Sequence, residues 1–297
     1  MKCTVRFSLS LIMSILPFFV FSQHYEKEEQ ITFNYGFNPV KIEVETNNEK
    51  YIFYAKSSSY HPYYLEIEFT QIQNLIPYMT KQSFVVSYGS NRLFELTKKE
   101  QNQPHHYNYK FNVRLGDPNV KPDLNFPYSL PLAVNKQIKP EKLLLNDSTY
   151  LITNYLKVDK NDTVFCIRKG YITAIGGSIS NPNVIIRNSS VEVRHMDGTI
   201  AVYNNIDPSF FKLKQGQNVY AGQPIGVSSL YDRVSVSLFV PSGDGRLSGS
   251  YVKYFVGKDS LKSIIDLQGC TVSHYDSLFN KELNKRELKL KSKGKLF

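Results

Sequence analysis

The chain contains no tryptophan and only three cysteines in 297 residues. Cys3 precedes an N-terminal apolar run, which leaves Cys166 and Cys270 for the body of the protein. Neither belongs to a CxxC pair or to a Cys/His spacing, so a zinc-finger reading has no support. Acidic residues are in deficit, 26 against 36 Lys and Arg, for a formal net charge of +10. That excess sits at the ends of the chain. Lys2 and Arg6 account for two charges, and the tail KELNKRELKLKSKGKLF (281–297) carries seven bases against two glutamates, leaving +3 for the body. A body of that charge gives no reason to expect nucleic acid. The tail reads as a solvated segment, with an anchor to acidic envelope polymers as the alternative. Histidine is scarce too: of six, none lies between His106 and His195.

The longest apolar run, Phe7–Phe21, follows Lys2 and Arg6 and is closed by Val20-Phe21-Ser22, the small-residue pattern of a cleavage site. Residues 1–22 therefore read as a signal peptide, with a retained anchor as the alternative, because the run is short for a membrane span. Cys3 stands before the run and cannot be the lipidated cysteine of a lipoprotein. The mature protein is expected in the periplasm or outside the cell, with no integral membrane span. Export permits a Cys166–Cys270 disulfide. The alternative is a buried free thiol at Cys166, whose neighbours in TVFCIRKGYITAI read as a strand.

Aromatic residues are plentiful: 21 Tyr and 19 Phe are spread over short alternating runs that favour β structure. ITFNYGF, VKIEVET, KYIFYAK, YYLEIEFTQI, QSFVVSY, NRLFELTK and HYNYKFNVRL suggest an antiparallel sandwich over 24–118. GDPNVKPDLNFP, with three prolines and a glycine, reads as a linker. A second β region spans 124–258, and a C-terminal segment with the basic tail spans 259–297. Asp197-Gly198 between VEVRH and TIAVY is a strong hairpin signal. Gly216-Gln217 and Ala221-Gly222-Gln223-Pro224 repeat the tight-turn device. In YDRVSVSLFV, Val234, Val236, Leu238 and Val240 share one face of a strand, and Arg233, Ser235, Ser237 and Phe239 share the other.

HMDGTIAVYNNI, then FKLKQGQNVYAGQPIGVSS, resembles the lysostaphin/LytM-type zinc metallopeptidases that cut peptidoglycan cross-bridges. DTVFCIRKGYI is similar to a further strand of that family. YIFYAKSSSYHPYYLEIEF, YNYKFNVRLGDP and FPYSLPL resemble the leader region of its exported members. The resemblance implies an all-β fold: an N-terminal β-sandwich followed by a LytM-like barrel-sandwich hybrid core. It also implies a site, and this chain departs from it. The two histidines of the family's last strand fall on Ser235, the catalytic helper position, and Ser237, a metal-ligand position. A further helper histidine falls on Asn205, and the aspartate ligand falls near Asn154. The remaining histidine ligand has no counterpart.

Zinc sites of this kind need about three His or carboxylate ligands plus a water. Neutral hydroxyls and carboxamides do not replace them, and without the metal nothing lowers the pKa of the water. The joint loss argues against hydrolysis and against a bound cofactor. It leaves a groove of Tyr203, Asn205, Arg233, Ser235, Ser237 and Phe239 that would hold peptidoglycan or an envelope protein; an ordinary polar sheet face is the plainer reading. The rival is an active zinc endopeptidase with displaced ligands, for instance His105 or His106. A serine nucleophile at Ser235 would need a base that the sequence does not place nearby. His195 is expected to be structural.

Overall fold

The computed structural model describes residues 39–47, 50–140, 153–176, 190–229, 232–242, 247–257 and 260–296. The expected signal peptide, Cys3 and the run ITFNYGF lie outside the described residues. The protein is all-β, and the described residues include two short α-helices near the C-terminal end.

The N-terminal part comprises β1 (Val40–Asn47), β2 (Lys50–Ser57), β3 (Tyr63–Gln73), β4 (Leu75–Ile76), β5 (Lys81–Val86), β6 (Gly89–Lys98) and β7 (His106–Leu115). They form a four-stranded sheet in the order β1-β2-β6-β4 and a three-stranded sheet β5-β3-β7, antiparallel throughout. One apolar core joins the two sheets: Val40, Phe53, Ala55, Leu75 and Leu96 from the first meet Tyr63, Leu65, Ile67, Phe69 and Val86 from the second. The alternation of β3 explains this, since Leu65, Ile67 and Phe69 point inward while Glu66 and Glu68 face out.

The C-terminal part comprises β8 (Thr153–Lys157), β9 (Thr163–Phe165), β10 (Gly170–Ile175), β11 (Ser190–His195), β12 (Ile200–Asn204), β13 (Ile206–Asp207), β14 (Asn218–Val219), β15 (Pro224–Ser228), β16 (Arg233–Pro241), β17 (Leu247–Ser250), β18 (Tyr254–Phe255) and β19 (Leu261–Lys262). Helices α1 (Asp276–Asn280) and α2 (Lys285–Lys291) close the chain. The main sheet runs β14-β10-β11-β12-β16-β17, with β8 on the same edge of β16 as β17. A three-stranded sheet, β13-β15-β9, packs on its inner face. Val164, Ile206 and Ile225 from the small sheet pack with Ile172, Val193, Ala201, Tyr203, Val236 and Leu238 from the large one.

The segment after the linker contributes to this core as well. Phe126, Tyr128, Leu130 and Leu132 are buried in it, and Tyr128 bridges to Tyr254. Cys166 is buried just past the end of β9 rather than inside a strand, and Cys270 is partly buried; both are free thiols. Burial pushes the Cys166 thiol up to about 11, so it stays protonated and acts as a small apolar group.

The two glycine-glutamine turns have a packing role that their sequence did not announce. Gly216 and Gly222 both adopt φ of +79°, a conformation that side chains resist. A Cβ on Gly216 would meet the Tyr60 ring at 2.4 Å, and one on Gly222 would meet the Phe279 ring at 2.5 Å. Each turn is thus a seat for an aromatic ring, the first from the sandwich and the second from α1.

The C-terminal segment is a clip rather than a solvated tail. Arg168 is buried, with Nη2 and Nε donating to Glu282 at 2.8 and 3.1 Å. Lys169 pairs with Glu287 at 2.7 Å. Glu287 also completes a capping box with Asn284 at the start of α2. Burial in such pairs spares the carboxylates the cost of being desolvated alone.

Candidate functional site

β16 sets the geometry of the site. It pairs with β12 in the register Asn204↔Ser235, Tyr203↔Val236, Val202↔Ser237 and Ile200↔Phe239. Opposed residues share a face. Ser235 and Ser237 share a face, as the alternation of VSVSLFV predicts, and the register puts Asn204 and Val202 beside them. Tyr203 does not join them. It belongs to the Val236 face, is fully buried, and its hydroxyl accepts from Ile167 N at 2.9 Å. Burial raises its phenol well above the ordinary range. The placement of Tyr203 in a groove is corrected accordingly, because the register is one residue away from the one a serine-facing tyrosine needs.

Asn205, expected at a helper position, falls outside the paired stretch of β12. It lies just past β12 with φ of 62°, in the left-handed region that asparagine tolerates, and its carbonyl accepts from Ser229 N at 3.0 Å. It turns the chain into β13, and Asn204 is the residue whose amide faces Ser235 Oγ, at 3.5 Å. Asn154 sits in β8 opposite Val236 in the register. Arg233 is exposed at the open end, with its guanidinium 5.7 Å from the Tyr155 ring. Ser235, Ser237 and Phe239 are only 2, 3 and 6% exposed, so the serine face is covered rather than open to solvent.

Two residues absent from the expected site now join it. Glu192 lies in the same cross-strand row as Val202 and Ser237, about 10 Å from Ser237 across two strand spacings. It is buried and contacts His61 Nε2 and Thr173 Oγ1, the hydroxyl donating. His61 comes from the loop between β2 and β3 of the sandwich. That loop is braced internally: Ser59 N donates to Ser57 Oγ and His61 N to Ser59 Oγ, at 3.3 and 3.1 Å. Tyr63 stands beside them, its phenol pushed up to about 12, mainly by burial and with a smaller push from Glu192. Tyr60 of the same loop seats on Gly216. The sandwich therefore caps one side of the serine face with an imidazole held against a carboxylate. A glutamate among valines in SSVEVRH was the one sequence signal for this, since a carboxylate inside a strand core needs a partner.

The HMDGT hairpin is a structural brace. Thr199 Oγ1 donates to Asp197 Oδ1 at 2.8 Å, and so accepts from His195 Nδ1–H at 2.9 Å. His195 Nε2 faces no partner among the described residues. Burial, reinforced by the Arg168 charge, lowers the His195 pKa from 6.5 to about 3, so the ring is neutral. Asp197 then binds Arg168 Nη1 at 2.8 Å and caps Asp123 N of the linker at 2.9 Å. Burial opposes the Asp197 carboxylate, and the Arg168 guanidinium outweighs it, holding the carboxyl below its usual value.

His105 contacts Tyr51 within the sandwich, and His106 is exposed on β7 opposite Gln73. Among the described residues no three His, Cys, Asp or Glu side chains converge to hold a metal ion. His61 and Glu192 are two donors, already bonded to one another, and Ser235 and Ser237 add no charge. This donor set does not fit a zinc site.

No family model matches the chain, and no curated protein matches it. Two solved structures of Helicobacter pylori Csd3 are similar to it, from orthorhombic and hexagonal crystals, with 11% and 12% identity. The matches cover 88% and 86% of this chain and 79% and 77% of that one, each with a TM-score of 0.32. Likeness of that degree leaves the reading of the site to its own residues.

Proposed function

We propose that the protein is an exported, catalytically silent relative of the lysostaphin/LytM peptidases, which binds peptidoglycan or an envelope protein as a scaffold or regulator. One observation carries the reading. The cross-strand row that contains Ser237 also contains a buried carboxylate, and that carboxylate is spent on His61 and Thr173 instead of facing an open coordination position. A carboxylate already bonded to an imidazole and a hydroxyl is not poised to take a proton from water. The open end of the serine face offers Arg233, Tyr155 and Asn204 as hydrogen-bonding and stacking groups, which suits binding without chemistry.

Metal analysis of the native protein together with turbidity clearance of purified sacculi tests it. Less than about one-tenth zinc per chain and no clearance are expected; stoichiometric zinc with chelator-sensitive clearance would overturn the silent reading. Sacculus co-sedimentation comparing the native chain with Arg233→Ala tests the binding half, and unchanged retention would leave the serine face without a role.

The second reading, an active zinc endopeptidase with displaced ligands, draws support from the His61–Glu192 pair, an imidazole and a carboxylate brought to the family's groove face from different regions. It requires a third donor and release of His61 from Glu192.

A further inference from the structure

The structure also sorts the charges of the C-terminal clip. Both acidic residues of 281–296 turn toward the core. Glu282 is held by Arg168, and Glu287 by Lys169 and the hydroxyl of Tyr220, at 2.7 and 3.2 Å. Leu283 and Leu290 are half-buried, and Lys291 reaches back to Asp276 and Asn280 at 2.8 and 2.9 Å. The bases on the other side are left outward. At 100° per residue, Lys285, Lys289, Lys293 and Arg286 fall within one arc of about 100°, opposite the arc of Glu287, Leu290 and Lys291. All four are exposed, and none takes part in an ion pair among the described residues. Charges of alternating sign mark a helix face that is merely solvated, whereas like charges gathered on one segment often mark an interaction surface. Here the core supplies Arg168 and Lys169 to remove the only acids from the segment's balance.

We propose that this face of α2, continued by Lys293 in the following turn, is a docking strip for a linear polyanion that carries phosphate groups along its length. Lys285, Lys289 and Lys293 follow at about 6 Å intervals along the helix axis, so a threadlike partner meets several charges at once. A membrane surface fits less well. A helix lying on lipid buries an apolar face, and here that face is already occupied by the protein, with Leu288 the one large apolar side chain exposed. This surface lies apart from the serine face, and the inference goes beyond the proposed function.

The test is a titration of the native chain with long-chain polyphosphate over a series of salt concentrations. Two variants with equal charge loss are compared. One carries Lys285→Gln, Arg286→Gln, Lys289→Gln and Lys293→Gln, which leaves the capping box of Asn284 and Glu287 in place. The other carries Lys41→Gln, Lys99→Gln, Lys121→Gln and Lys160→Gln, all exposed elsewhere on the molecule. At about five-fold per cation, the helix variant should lose roughly two to three orders of magnitude in affinity at low salt, and its salt slope should fall by about three. The control variant should stay within about five-fold of the native chain. Equal losses in both variants would overturn the proposal in favour of net charge alone. Anionic phosphatidylglycerol vesicles bound as tightly as polyphosphate, with the same loss in the helix variant, would overturn it in favour of a lipid surface.

Discussion

The sandwich and the C-terminal part are held together by different means. In the sandwich a cluster of aromatic rings is built into an otherwise aliphatic core. Phe53 stacks on Phe94 at 4.6 Å and meets Phe69, Tyr107 and Tyr109 at 5.5 to 5.9 Å, and the charges stay outside in pairs such as Lys81–Glu66 and Lys110–Glu68. Among the described residues its buried polar side chains are Ser57, Ser59 and His61, all at the loop that faces the other part. The C-terminal part has a mainly aliphatic core and buries Arg168, Thr173, Glu192, His195, Thr199, Ser228, Ser235 and Ser237. Aromatic packing tolerates exchange of one ring for another of similar volume. A buried polar network does not, because each member left alone bears a desolvation cost. The sandwich is therefore the part more tolerant of exchange, and the demanding polar contacts gather in the second part and at its seam with the loop.

Substitutions in each part, and one titration, can break or sharpen this contrast. Arg168→Leu removes the shared partner of Asp197 and Glu282 and should cost about 3–5 kcal/mol in urea unfolding; limited proteolysis should then release the clip. His61→Ala removes the imidazole that contacts buried Glu192 and should cost about 3 kcal/mol. It should also split a single unfolding transition into two, one for each part; a single transition at the native midpoint would show that the seam contributes nothing. Gly222→Ala forces a side chain onto a φ of +79° and against Phe279, for about 1–3 kcal/mol. Phe279→Ala in the same chain should recover the steric share but not the backbone share.

His195 supplies the pH test. Its folded pKa, about 3, lies below the 6.5 of the unfolded chain, so the unfolded state binds the extra proton between those values. Stability from this residue is complete above about pH 6.5 and drains away as pH falls toward 3. His195→Gln should flatten the dependence of the urea midpoint on pH in that window, and an unaltered slope would assign it elsewhere. The smallest effect belongs to the sandwich surface: Lys110→Ala, which breaks an exposed pair with Glu68, should leave the midpoint unchanged.

The fold was largely legible because alternation is local. VKIEVET, KYIFYAK and HYNYKFNVRL become strands near their expected bounds, and the two faces of VSVSLFV divide as read. The site was legible only on one strand. Which residues of β12 stand beside the serines depends on the register between strands, and a shift of one residue exchanges Tyr203 and Asn205 for Val202 and Asn204. Alternation cannot report that shift.

Sequence alone determined the all-β class, the serine positions on β16 and the basic character of the last residues, because each is a matter of composition or of period along one segment. The tertiary structure alone decided that His61 meets Glu192 across 131 residues of sequence, that Tyr203 belongs to the core, and that the tail folds back with its acids inward. Those outcomes depend on which distant groups can neutralise a buried charge, and only chain packing brings such groups together.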